Sequence, residues 1–142
     1  MTHMNIKELI PQRFPILMVD ELVEVAQDQA TARLQLTQDN FFMDEVGLLS
    51  EAGLIEHMAQ SASAMVGYEH KLAGGTRPPV GYIAEVKRFE CLKRPACGQT
   101  ILTTVTRNLQ VGDVTIITTQ CTDQDGELLA RTQMKIFIDP KQ

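Results

Sequence analysis

Residues 47–68 read GLLSEAGLIEHMAQSASAMVGY, and nearly every position is apolar or small. The stretch has the length of a helix. A stripe at 48, 52, 55, 59, 62 and 66 fits a helical repeat of about 3.6 residues. The opposite side, at 50, 54, 57, 61, 64 and 68, is also small or apolar apart from His57. A helix apolar nearly all round is buried nearly all round. Gly53, Ala59, Ala62, Ala64 and Gly67 are small enough to let other backbone come close. Into this segment the chain sets Glu56 and His57, one helical turn before Gln60. HKLAGGTRPP (70–79) then ends the helix with glycine and proline.

The flanks are read outward from that helix. MNIKELI (4–10) predicts a short helix stopped by Pro11. Residues 16–26 are rich in Val, Leu and Ile and predict a strand. After the QDQ turn, Ala30, Ala32, Leu34 and Leu36 alternate with Thr31, Arg33, Gln35 and Thr37. That is a half-buried strand, paired with the first as a hairpin. DNFFMDEVG is a loop before the helix. Beyond the helix, 80–92, 99–110, 113–123 and 127–138 predict four long strands, joined by turn-forming RPACG, VGD and DQDGE. They are expected to form an antiparallel meander. A flat sheet cannot bury one helix all round, whereas a sheet that curls around it can. The expected class is therefore α+β, a single domain over 1–142 with the hotdog architecture: one long buried helix wrapped by a curled antiparallel sheet. The side left open would be covered by a second copy.

Bulk properties narrow the function. The chain has 142 residues, 44% apolar and 22% charged, with net charge −5 and pI about 5.1. That balance argues against a nucleic-acid partner, which calls for a basic surface. Lys87, Arg88, Lys93 and Arg94 form the one dense basic cluster, read first as a solvated strand edge. Cys91, Cys97 and Cys121 do not describe a disulfide framework. The histidines, His3, His57 and His70, show no clustered ligand spacing, so neither a metal nor a cofactor is expected. Glu51, Glu56 and His57 rule out the central stretch as a membrane span, and no signal peptide is visible at the start. The expectation is a cytoplasmic protein.

LIPQRFPILMVDELVEV (9–25) resembles the opening of FabZ-type 3-hydroxyacyl-[acyl-carrier-protein] dehydratases, which read Leu-Pro-His-Arg-Tyr-Pro-Phe-Leu-Leu-Val-Asp. Pro11, Arg13, Phe14, Pro15, Val19 and Asp20 fit, and Gln12 stands where the family has His. Phe41–Phe42, LIEHMAQSA (54–62) and VKRFECLKRPACGQTI (86–101) resemble three further family segments. The loop before the helix departs: FFMDEVGLLSEAG carries no His, whereas the family's loop His faces a helix Glu from the other protomer. A divergent branch, similar to dehydratases of polyene-type biosynthesis, departs in the same region.

The resemblance implies a 3-hydroxyacyl-thioester dehydratase, a lyase of fatty-acid or polyene-type biosynthesis. Its substrate would ride on acyl carrier protein or coenzyme A. It also implies a homodimer or higher homo-oligomer. Glu56 falls on the helix Glu and is the candidate catalytic residue. Dehydration needs a base at C2, an acid at the C3 hydroxyl and a donor for the thioester oxygen. The bland alternative for Glu56 is a solvated rim, or a hydrogen bond to Gln60. His57 is a second candidate, but it lies about 100° round the helix from Glu56 and more readily reads as an interface or surface His. Asp44 and Glu45 occupy the loop where the family has its His; they read less as weak bases than as solvated loop residues or acids that favour the coming helix N-terminus. Gln60, Phe42 and Met58 are candidate substrate-binding residues, weighed against a self-satisfied amide, a loop anchor and an ordinary core methionine. Two other functions stay open: an inactive acyl-binding subunit paired as a heterodimer with an active hotdog homologue, and an acyl thioesterase whose helix carboxylate activates water.

Overall fold

Ser50 starts the central helix. Its hydroxyl accepts the Gly53 N–H at 3.1 Å, and Glu51 follows in the first turn, where a carboxylate suits the positive end of the helix. The computed structural model describes residues 5–139. In it this helix, α1, runs Glu51–Leu72. It therefore begins after the Leu48–Leu49 pair and extends past Tyr68. Leu54, Met58, Ala64 and Met65 are fully buried, and full burial of a Leu or Met side chain contributes about 2 kcal/mol. The two helix glycines are contact points. A Cβ on Gly67 would lie 1.9 Å from the Leu9 carbonyl oxygen, and one on Gly53 would lie 2.6 Å from the Phe42 Cβ. The small residues thus let the N-terminal segment and the Phe42 loop rest directly on the helix.

The N-terminal helix is only a 3-10 turn, Ile6–Glu8, capped by the Asn5 side chain; Met4 lies outside the described residues. The strands are β1 (Glu21–Ala26), β2 (Gln29–Gln35), β3 (Gly81–Cys91), β4 (Thr100–Val111), β5 (Val114–Asp123) and β6 (Leu128–Ile138). They form one antiparallel sheet in the order β1-β2-β4-β5-β6-β3. Ala30, Ala32, Leu34, Ile101, Val105, Ile117 and Cys121 form its buried face, with the alternation expected of a half-buried sheet.

Two expectations are corrected. The first strand begins at Glu21, not near residue 16. The backbone of 16–18 is held by helix side chains instead. Gln60 binds the Ile16 carbonyl and the Met18 N–H, and His57 binds the Met18 carbonyl. Groups engaged in this way are not available to a ladder. The four-strand meander is also interrupted, because β3 pairs with β6 rather than with β4. The connection after β3 is tied elsewhere: Leu49 N–H to Pro95 O at 2.8 Å, Cys97 N–H to Gly47 O at 3.0 Å, and Gly98 N–H to Leu36 O at 2.8 Å. It crosses near the helix start and delivers β4 beside β2. As a result β3 is an edge strand. Of the basic cluster on and after it, Lys87 meets Glu85, Lys93 meets Glu127 and Arg94 meets Asp44.

Candidate active site

Glu56 is half-buried on the side of α1 that meets the start of β3. One of its oxygens, Oε2, accepts the Gln60 Nε2–H at 2.7 Å. The same Gln60 nitrogen donates to Ile16 O at 2.9 Å, and Gln60 Oε1 accepts the Met18 N–H at 2.7 Å. Gln60 is 1% exposed. Its amide is therefore satisfied on every side, and it holds both the 16–18 backbone and the orientation of Glu56.

Glu56 opens onto a half-open cavity of about 340 Å³. That is at the lower end of ligand-site sizes, which begin at about 300 Å³. Gln12, Gln60 and Ser63 line it with Glu56, and Ala59, Val80, Tyr82, Ile83 and Ile136 supply apolar wall. Gly81 keeps it open, since a Cβ there would sit 3.2 Å from the Ser63 hydroxyl. Glu56 is the one carboxylate among these residues, and none of them is an imidazole.

The structure brings together Glu56 and Gln60 but not the other candidates. His57 does not line the cavity. It is fully buried inside the protomer, rather than at a surface, with Nδ1 2.7 Å from the Met18 carbonyl. That acceptor places the proton on Nδ1, and Nε2 is buried without a partner among the described residues. Desolvation lowers its pKa to about 4, only partly opposed by the Met18 carbonyl. His57 is thus a neutral brace. Met58 is core, and its sulfur accepts the Thr119 hydroxyl. Phe42 packs edge-on against Phe41 and over Gly53, anchoring the loop outside the cavity. Asp44 is also occupied: the Leu48 N–H, with Arg94 and the Val46 N–H, holds its carboxyl below the usual range. Glu45 is exposed.

Gln12 and Ser63 are the polar groups that sequence reasoning did not assign to the site. Gln12 carried a signal, as the residue that departs from the opening motif it resembles. Ser63 lay among small helix residues with nothing to mark it. A larger depression, about 410 Å³, lies on the sheet face turned away from α1, among Thr104, Thr118, Gln120 and Gln133. Its carboxylate, Glu90, is bound by the Arg131 guanidinium at 3.1 and 3.3 Å, so it offers no free acid or base.

Among the described residues, no helix is long and apolar enough to cross a membrane, and no cluster of three or more His, Cys, Asp or Glu could hold a metal ion. The family model described as ApeP-like, ApeP dehydratase, matches residues 4–142. The chain is 28% identical over 103 residues to the 3-hydroxyacyl-[acyl-carrier-protein] dehydratase FabZ of Methylobacterium sp. (strain 4-46), covering 69% of this chain and 62% of that protein. Its fold is similar to that in the structure of the dehydratase heterocomplex ApeI:P from Xenorhabdus doucetiae, with TM-score 0.90, 15% identity, and coverage of 99% and 94% of the two chains. A hypothetical thioesterase from Streptococcus pneumoniae, solved with coenzyme A, shares the fold at TM-score 0.65 and 11% identity, with 84% of each chain covered. These structures establish the hotdog fold.

Proposed function

We propose, from the premise that this chain belongs to the ApeP-like family of dehydratases, that it is the Glu-bearing half of a 3-hydroxyacyl-thioester dehydratase. The acyl chain lies against Ala59, Val80, Ile83 and Ile136, and Glu56 meets its hydroxylated carbon. A base takes the C2 proton, the freed electron pair forms the C2=C3 bond, and the C3–O bond breaks. The departing oxygen takes a proton from Glu56 and leaves as water. Gln60 aims that carboxyl by binding its other oxygen.

The single observation that carries the reading is that, among the described residues, the cavity is lined by one carboxylate and no imidazole. The reaction asks for two proton-transfer groups, and the described residues of the cavity supply one. The second comes from a partner subunit, a hotdog homologue with a loop His of the FabZ kind. The similar structure described as a heterocomplex of dehydratases supports such a pairing. The thioester is carried on acyl carrier protein or coenzyme A.

The test is hydration of a 2-enoyl thioester by the chain alone and mixed with a His-bearing hotdog homologue. The mixture is expected to be active and the chain alone slow or silent, since a positioned acid or base contributes about 10²–10⁴-fold. Glu56→Gln keeps the shape but cannot give the proton in dehydration or take it back in hydration, and should remove at least about 100-fold of the mixture's rate. Full activity of Glu56→Gln sinks the proposal. Glu56-dependent release of free thiol by the chain alone favours the thioesterase reading, because one carboxylate suffices to activate water.

A further inference from the structure

Gln12 faces the same cavity as Glu56, and its Oε1 is buried without a hydrogen-bond partner among the described residues. Buried polar atoms are paired in the great majority of cases, so an orphan acceptor at a ligand cavity calls for a donor. Gln60 offers no relief, because both its N–H donors are committed, to the Ile16 carbonyl and to Glu56. Nor is Gln12 carried on a loose segment. The Arg13 guanidinium binds the carbonyls of Lys7, Ile10 and Gln12 at 3.0, 2.8 and 2.9 Å. Just before it, the Leu9 carbonyl sits against Gly67, where there is no room for a Cβ. The backbone that presents Gln12 is thus strapped to itself and seated on α1.

We infer that Gln12 is a specificity-determining substrate contact, whose Oε1 accepts the hydrogen of the acyl chain's C3 hydroxyl while Glu56 addresses the same oxygen. The inference rests on the acyl-thioester reading above and deepens it. A hydroxyl can donate to Gln12 and accept from a protonated carboxyl at once. A saturated or 2-enoyl chain has no donor at C3 and leaves Oε1 unpaired. The site then discriminates by the presence of the hydroxyl, as sites built around a buried polar partner do. The amide N–H of a pantetheine arm is the other donor an acyl thioester carries, and it is common to all such ligands.

The experiment separates these donors. A 3-hydroxyacyl thioester of N-acetylcysteamine and its saturated counterpart share the arm and differ only at C3. Their binding is measured by calorimetry to the full-length chain, in the assembly in which it purifies, carrying Glu56→Gln to block turnover. With Gln12 present, the hydroxylated chain is expected to bind about tenfold tighter, the scale of one hydrogen bond into a buried site. Gln12→Met, which keeps the length and removes the acceptor, should abolish the preference and leave the saturated chain's affinity unchanged. That unchanged affinity also shows that the variant is folded. Gln12→His, which retains an acceptor nitrogen, should keep part of the preference. An equal preference in Gln12→Met and its parent overturns the inference, as does the absence of any preference with Gln12 in place; the latter result points to the arm. In those cases Glu56-dependent hydration can still stand. If neither thioester binds, the acyl-thioester reading falls as well.

Discussion

Glu56, His57 and Gln60 lie within five residues, yet their side chains have three different surroundings. Glu56 is half-buried at a cavity, His57 is sealed in the core, and Gln60 bridges the two regions by binding Glu56 and the 16–18 backbone. The buried histidine predicts a pH effect. Its folded-state pKa is about 4, against 6.5 for an ordinary histidine. Between those values the unfolded chain binds the proton and the folded chain does not, so folding stability falls as pH falls. The contribution is fully present above pH 6.5 and is lost by about pH 4, on the order of 3 kcal/mol. His57→Asn keeps a donor for the Met18 carbonyl and does not titrate. Its urea-unfolding stability should change less between pH 6.5 and pH 4 than the wild type's. Parallel curves for the two proteins would remove His57 as the cause.

At the scale of elements, the helix works as a bed for chain that has no ladder of its own. Gly67 admits the Leu9 carbonyl, Gly53 admits Phe42, and Gln60 and His57 hold Ile16 and Met18. In a free helix, Gly67→Ala would be favourable, because alanine has the higher helix propensity. Here the added methyl would meet backbone at 1.9 Å, and backbone yields only if the whole N-terminal segment shifts. The expected loss is about 1–3 kcal/mol, the range for overpacking a dense core, read as a lower urea midpoint. The same shift displaces Gln12 from the cavity. A Gly67→Ala protein as stable as wild type, or more so, would show that the Leu9–helix contact does not matter.

The whole molecule leaves one long edge unprotected. β3 pairs only with β6, and its outer side carries no partner strand among the described residues. Tyr82 and Ile83, on that strand, are 53% and 40% exposed and also line the Glu56 cavity. A long edge with apolar side chains invites pairing with another chain. The site and the edge are therefore one surface, and a strand laid along β3 would close the cavity as it completed the sheet. Light scattering at micromolar concentration is expected to find two or more chains per particle, with Ile83→Lys shifting the population toward monomer. A stable wild-type monomer counts against this interface and against a shared site.

Much of this arrangement is legible in residue order, because alternation and helical periodicity are local. The pattern of Ala30, Ala32, Leu34 and Leu36 specifies a half-buried strand by itself, and the four later strands lie within about a residue of their sequence bounds. A helix apolar nearly all round was enough to expect a curled sheet, while Glu56 was marked as a candidate by the resemblance of LIEHMAQSA to a dehydratase helix. Periodicity states which side of an element is buried; it does not state which element it meets. Only the tertiary structure decided that residues 16–18 forgo a strand, since their partners are side chains 39 to 44 positions away. Only it moved β3 to the far edge, through hydrogen bonds that anchor its connection to Leu36, Gly47 and Leu49. The cavity walls follow from both: Gln12 and Ile136 share a surface with Glu56 because the segment before β1 and strand β6 both meet the helix, and no local pattern records that meeting.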